Sequence, residues 1–113
     1  MITARAKYEQ TVSKWMNTKK FKQLTNDINN LILNESDDAN IRYYIYTDTG
    51  YQTLTSKARC SSNYLCNQTL YLELSNYMVQ GALRKYYSNL GYTCIISHNY
   101  RDYIEIVIEW YNQ

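Results

Sequence analysis

Residues 103–111, YIEIVIEWY, constrain the fold more than any other stretch. Ile104, Ile106, Ile108 and Trp110 alternate with Tyr103, Glu105, Val107, Glu109 and Tyr111. Alternation of period two over this length specifies a strand with one face against a core. The register is tightly set, because a slip of one residue would bury Glu105 and Glu109. A sheet with one apolar face needs another layer to cover it, and the remaining sequence supplies helices.

Residues 4–33 read as one long helix, or as two with a break near Asn17–Thr18. Tyr8, Val12, Trp15 and Met16 recur at spacings of three and four, and Leu24, Ile28, Leu31 and Ile32 resume the stripe. NESDDAN, 34–40, has the composition of a loop. IRYYIYT, 41–47, is rich in β-branched and aromatic residues and predicts a strand. DTG then predicts a turn, with YQTLTSK, 51–57, as a hairpin partner. ARCSSNYLCN, 58–67, predicts a loop. In QTLYLEL, 68–74, Leu70, Leu72 and Leu74 alternate with Tyr71 and Glu73, which predicts a strand. Ser75 is the expected N-cap of a helix running to about Leu90, with Val79, Leu83, Tyr86 and Leu90 on one face and Gly91 as its stop. Strands at 92–98 and 102–111 close the chain. The expectation is one α+β domain spanning 1–113, in the order α-β-β-β-α-β-β. It has a mostly antiparallel sheet with two helices packed on one face.

A chain of 113 residues is long enough to bury a core without metal or disulfide staples. Fourteen tyrosines against one phenylalanine favour half-buried surfaces and interfaces, because tyrosine combines a large contact area with a polar tip. Three glycines and no proline argue against a linker or a disordered tail. The net charge of +2 predicts no polyanionic partner by itself, but its distribution is uneven. Residues 1–22 carry Arg5, Lys7, Lys14, Lys19, Lys20 and Lys22 against Glu9, and residues 27–48 carry five acidic groups against Arg42. The plain reading is a solvated basic helix followed by an acidic loop; the functional one is complementary docking to a partner or a second copy.

Cys60, Cys66 and Cys94 make an odd set, and the N-terminus lacks the apolar core of a signal peptide. Reduced thiols and an intracellular protein are therefore expected. Cys60 and Cys66 have neither the CxxC redox spacing nor a usual zinc spacing. Neither a metal nor a cofactor is expected, and Cys94 in YTCIIS reads as a small apolar strand residue. No segment approaches the apolar length of a membrane span.

His98, Tyr100, Arg101 and Asp102 gather at the tip of the last hairpin. A histidine beside a carboxylate can act as a general base, and an arginine can hold an anion. Neighbouring residues of one turn point in different directions, however, and catalysis needs groups converging from separate elements. The tip reads first as a polar turn and second as a loop that touches a ligand. Glu105 and Glu109 share a strand face about 13 Å apart, too wide for a glycosidase pair. They read as solvated, or as paired with a basic helix. No phosphate-loop, dinucleotide, GxSxG or HExxH motif is present, so no enzyme is expected. RYYIY (42–46), Lys57 with Arg59, and RKYY (84–87) mix basic and aromatic side chains as nucleic-acid sites do. Tyr43 and Tyr44 must face opposite sides of their strand, and Tyr86 belongs to the helix core. The same residue types would also hold a nucleotide-sized ligand: rings for a base, Arg and Lys for phosphate. Tyr43, Tyr46, Arg59, Arg84, His98 and Arg101 are the candidate ligand contacts.

TARAKYEQTV, ALRKYYSNLGYTCIIS and YIEIVIEW give the chain a further likeness. It resembles a loosely defined group of small bacteriophage proteins that open with a charged helix and end with a helix, the dipeptide GY, and two strands closing on Ile and Trp. That resemblance implies a phage origin and a non-enzymatic role, and transfers no functional residue. The leading expectation is a homo-oligomeric binding protein in the host cytoplasm that sequesters or occludes a host protein or a small nucleotide signal. A virion structural or assembly protein is the alternative, and a nucleic-acid-binding module the third.

Overall fold

The computed structural model describes residues 1–47, 63–98 and 103–111. Thr3 opens helix α1 (Ala4–Met16) by accepting the Ala6 N–H on its hydroxyl at 3.1 Å. Of the two readings of this segment, one long helix or two with a break near Asn17–Thr18, the second holds. Asn17 ends α1, and Thr18, in extended conformation, caps α2 (Lys19–Asn34) by accepting the Phe21 N–H at 3.3 Å. A good N-cap thus divides the segment without glycine or proline. Helix α2 buries Phe21, Leu24, Thr25 and Ile28, one face at helical spacing, whereas α1 buries no residue.

Strand β1 (Asn40–Tyr46) follows, and β2 (Tyr64–Cys66) lies beside it in parallel, pairing Tyr44 with Tyr64 and Tyr46 with Cys66. The region expected to be a loop at 58–67 therefore contains a strand. A parallel return needs a long connection, and residues 47–63 supply the length. The hairpin partner expected at 51–57 lies outside the described residues.

The strand expected at 68–74 is instead helix α3 (Gln68–Leu74). Asn67 caps it, accepting the Leu70 N–H at 3.0 Å. Leu70, Tyr71 and Leu74 are buried while Leu72 is exposed, so the burial follows spacings of one and four rather than two. Seven residues are too few to separate the two periods. Leucine lacks the β-branching that disfavours helix, and the cap decides. Ser75, the expected N-cap of the next helix, instead closes α3, with its hydroxyl donating to Tyr71 O at 2.9 Å. Asn76 caps α4 (Tyr77–Asn89), accepting the Met78 N–H at 2.8 Å.

Gly91 stops α4 as expected. Its φ of 92° lies in the left-handed region. The Tyr92 N–H returns to Tyr87 O at 2.9 Å and the Gly91 N–H to Ser88 O at 3.0 Å, the paired bonds of a Schellman ending. The Tyr87 and Tyr92 rings meet edge to face at 6.3 Å over this turn. Strands β3 (Thr93–Ser97) and β4 (Tyr103–Glu109) complete the sheet.

The fold is α+β, but the described residues hold four helices rather than two, in the order α-α-β-β-α-α-β-β. The sheet runs β2-β1-β4-β3, with one parallel pair and two antiparallel ones. Register opposes Ile41, Tyr43 and Ile45 to Ile108, Ile106 and Ile104, and Cys94 and Ile96 to Ile108 and Ile106. These side chains form the core with Phe21, Leu24, Ile28, Leu70, Leu74, Leu83 and Tyr87 from the helices. The alternation of β4 is met at Ile104, Ile106 and Ile108, which are fully buried, whereas Val107, expected on the other face, is buried there as well.

Candidate functional site

The ligand contacts expected from sequence do not meet in one place. Tyr43 points into the helix-side core, where its hydroxyl donates to Asp27 Oδ2 at 3.3 Å. Burial, and then the Asp27 charge, push its pKa well above the ordinary tyrosine value. Tyr46 lies on the opposite face of the same sheet, fully buried in a cluster with Tyr44, Tyr64, Cys66 and Tyr103. Its ring stands 5.1 Å from that of Tyr103 and 6.1 Å from that of Tyr64. Period two separates Tyr43 from Tyr46. Arg84 is half-buried on α4, close enough to Cys94 that its charge opposes the effect of burial on the thiol; the Cys94 pKa is still pushed up to about 12. His98 is exposed at the end of β3, its Nε2 2.9 Å from the Tyr71 hydroxyl. Arg59, Arg101, Tyr100, Asp102, Lys57 and Cys60 lie outside the described residues.

Glu105 pairs with Arg42 Nη1 at 3.2 Å, across neighbouring strands rather than with a helix. In the RKYY segment, Tyr87 is fully buried and donates to Asn29 Oδ1 at 3.1 Å, while Tyr86 packs on the core. Neither ring is a free stacking platform. Among the described residues no group of three His, Cys, Asp or Glu side chains could hold a metal ion, and no helix is long and apolar enough to cross a membrane.

Two surfaces stand out instead. The first is apolar. A groove of about 430 Å³ runs between α1 and α4, walled by Tyr8, Val12, Met16, Tyr86 and Leu90, with Glu9 and Lys85 among its polar lining. Two smaller recesses also open at Leu90, bringing in Ile32, Leu33, Tyr92 and Trp110. Leu90, expected on the core face of α4, sits at its C-cap and is 56% exposed; Leu33 is 80% exposed. The Schellman turn puts Leu90 outside, because the chain reverses there to feed β3. Beneath this surface the rings of Trp15, Phe21, Tyr86, Tyr87, Tyr92 and Trp110 meet edge to face in sequence, at centroid distances from 4.7 to 6.3 Å. Such a run of interlocked rings makes a stiff floor.

The second surface is a polar recess of about 260 Å³ at the start of α4, lined by Ser75, Tyr77, Gln80, Ile96, Ser97 and His98. It joins α3, α4 and β3, a conjunction that a strand at 68–74 would not create. Only the single histidine signalled it.

Comparison of the chain with protein-family models, curated proteins and solved structures finds no match. The geometry of these two surfaces therefore carries the functional argument.

Proposed function

We propose that the chain is a non-enzymatic binding protein that acts by occluding a host protein, with the apolar surface around Leu90 as its contact. The observation that supports this reading is the convergence of three recesses on one exposed leucine, beside the exposed Leu33. A contiguous exposed apolar patch with polar groups at its edge is the usual mark of a protein contact. The bound partner would bury Leu33 and Leu90 while Glu9, Lys85 and Glu35 form its rim. The resemblance to small phage proteins supplies the setting: the cytoplasm of an infected cell, in a host-takeover or counter-defence role. Sequestration of a nucleotide signal cannot rest on Tyr43 and Tyr46 together, since they face opposite sides of the sheet. Direct nucleic-acid binding loses Tyr86 and Tyr87 to packing.

A virion or assembly role would use the same surface between copies of the chain. Site-specific photo-crosslinking separates the two. With a photoreactive residue at position 90 and expression in a host cell, the occlusion reading expects one dominant adduct with a host protein. Adducts only between copies would favour assembly, and an absence of adducts at position 90 would overturn a contact at this surface.

A further inference from the structure

Resting on the reading of the Leu90 surface as the host contact, we propose that the groove between α1 and α4 takes one amphipathic helix of the host protein. That helix seats a row of apolar side chains between the two walls and turns charged flanks to the rims. Both walls are ridges of helical period. Tyr8, Val12 and Met16 follow at four-residue steps along α1, and Ala82, Tyr86 and Leu90 do so along α4 and its C-cap. Each row is about 12 Å long, a little over two helical turns. Neighbouring ridges of this kind receive the matching row of another helix between them. Met16, unbranched and polarisable, lets one wall adjust to the side chains it meets.

Polar rows border the apolar ones: Glu9 and Ser13 on α1, Lys85 and Asn89 on α4. Glu9 also meets Arg5 at 3.3 Å, a pair open to solvent and therefore weak. One rim is thus acidic and the other basic. A helix with Lys or Arg over Glu9 and Asp or Glu over Lys85 fits in one direction only, because reversal would set like charges together. An extended peptide fits poorly. A strand needs backbone N–H and C=O groups to pair with, and both walls are helices that use theirs internally. A helix arrives with its own already bonded. A second copy fits poorly as well. A groove set against its own twofold image leaves a hollow. None of the described helices exposes two large apolar side chains three or four residues apart to fill it.

The experiment is an NMR titration of the full-length, isotope-labelled chain with two alanine-rich peptides of about 16 residues. The first carries leucines at four-residue steps, with lysines on one flank and glutamates on the other. The control has the same composition, with its leucines alternating with polar residues. The helical peptide should move the methyl signals of Val12, Met16, Ala82 and Leu90 saturably, and the control should leave them in place. Leu90→Lys, at an exposed position, should raise Kd about tenfold. Lys85→Glu, also exposed, should raise it about threefold, and lysines in place of the glutamates on the facing flank of the peptide should restore it. Peptide binding without a host adduct from position 90 would support the helix seat and overturn the occlusion reading. A host adduct without peptide binding would overturn the helix and leave the contact standing. The proposal is also overturned if the control binds as tightly as the helical peptide, or if Leu90→Lys binds like the parent.

Discussion

The indole N–H of Trp15 donates to Glu73 Oε2 at 2.8 Å, joining α1 to α3. Lys20 Nζ takes the other oxygen at 2.9 Å, so one carboxylate holds both N-terminal helices. Helix α1 buries no residue, and its wall of the Leu90 groove depends on attachments of this kind. Glu73→Ala should cost about 1–2 kcal/mol, most of it from the indole bond, because the ion pair is partly exposed and screened. Urea unfolding would read the loss, and hydrogen exchange should accelerate in α1 more than in α2. Equal protection of α1 in both proteins would contradict the role given to Glu73.

Leu70, Leu72 and Leu74 distinguish helix from strand at 68–74. In α3, Leu72 faces solvent while its two neighbours are in the core. Leu72→Lys should change stability by no more than about 0.5 kcal/mol, whereas Leu70→Ala or Leu74→Ala should cost about 2–4 kcal/mol. A strand would make Leu72→Lys as damaging as the other two.

Gly91 adopts a φ of 92°, which a Cβ makes unfavourable. Gly91→Ala should therefore destabilise the protein by about 1 kcal/mol. Thermal unfolding would show a lowered Tm with the far-UV spectrum kept.

Alkaline pH should unfold the protein early. Burial raises the Cys94 thiol from 9.0 to about 12, and raises Tyr43 and Tyr87 above the ordinary tyrosine value of 10.0. Between the unfolded and folded values the native state binds more protons, so stability is full below about pH 9 and falls as pH rises. Unfolding free energies measured from pH 8 to 11 should decline over that range, and Cys94→Ala should flatten the first part of the decline. A flat profile would contradict the buried, protonated thiol.

Much of the sheet was legible because its signals are local. The alternation of β4, the glycine stop at Gly91 and the break at Thr18 each follow from a few adjacent residues. Helix α3 was not legible, since Leu70, Leu72 and Leu74 satisfy period two while Leu70, Tyr71 and Leu74 satisfy a helix turn. The parallel β2 was hidden for a related reason: three residues carry no period. The candidate sites suffered more. Tyr43, a candidate ligand contact by sequence, belongs to the core and donates to Asp27. The bonds from Gln80 to Leu74 and from His98 to Tyr71 depend on α3, whose sequence alternates like a strand. Leu90 carried the helix spacing of a core residue, and only the reversal at Gly91 places it outside.

The most direct test of the Leu90 surface is photo-crosslinking from position 8, across the groove, in the parent and in Leu33→Lys/Leu90→Lys. Both leucines are exposed, so the double variant should fold and unfold with nearly the parent's Tm. The account predicts a dominant host-protein adduct from the parent and its loss in the double variant. An adduct of undiminished yield from the folded double variant would contradict it.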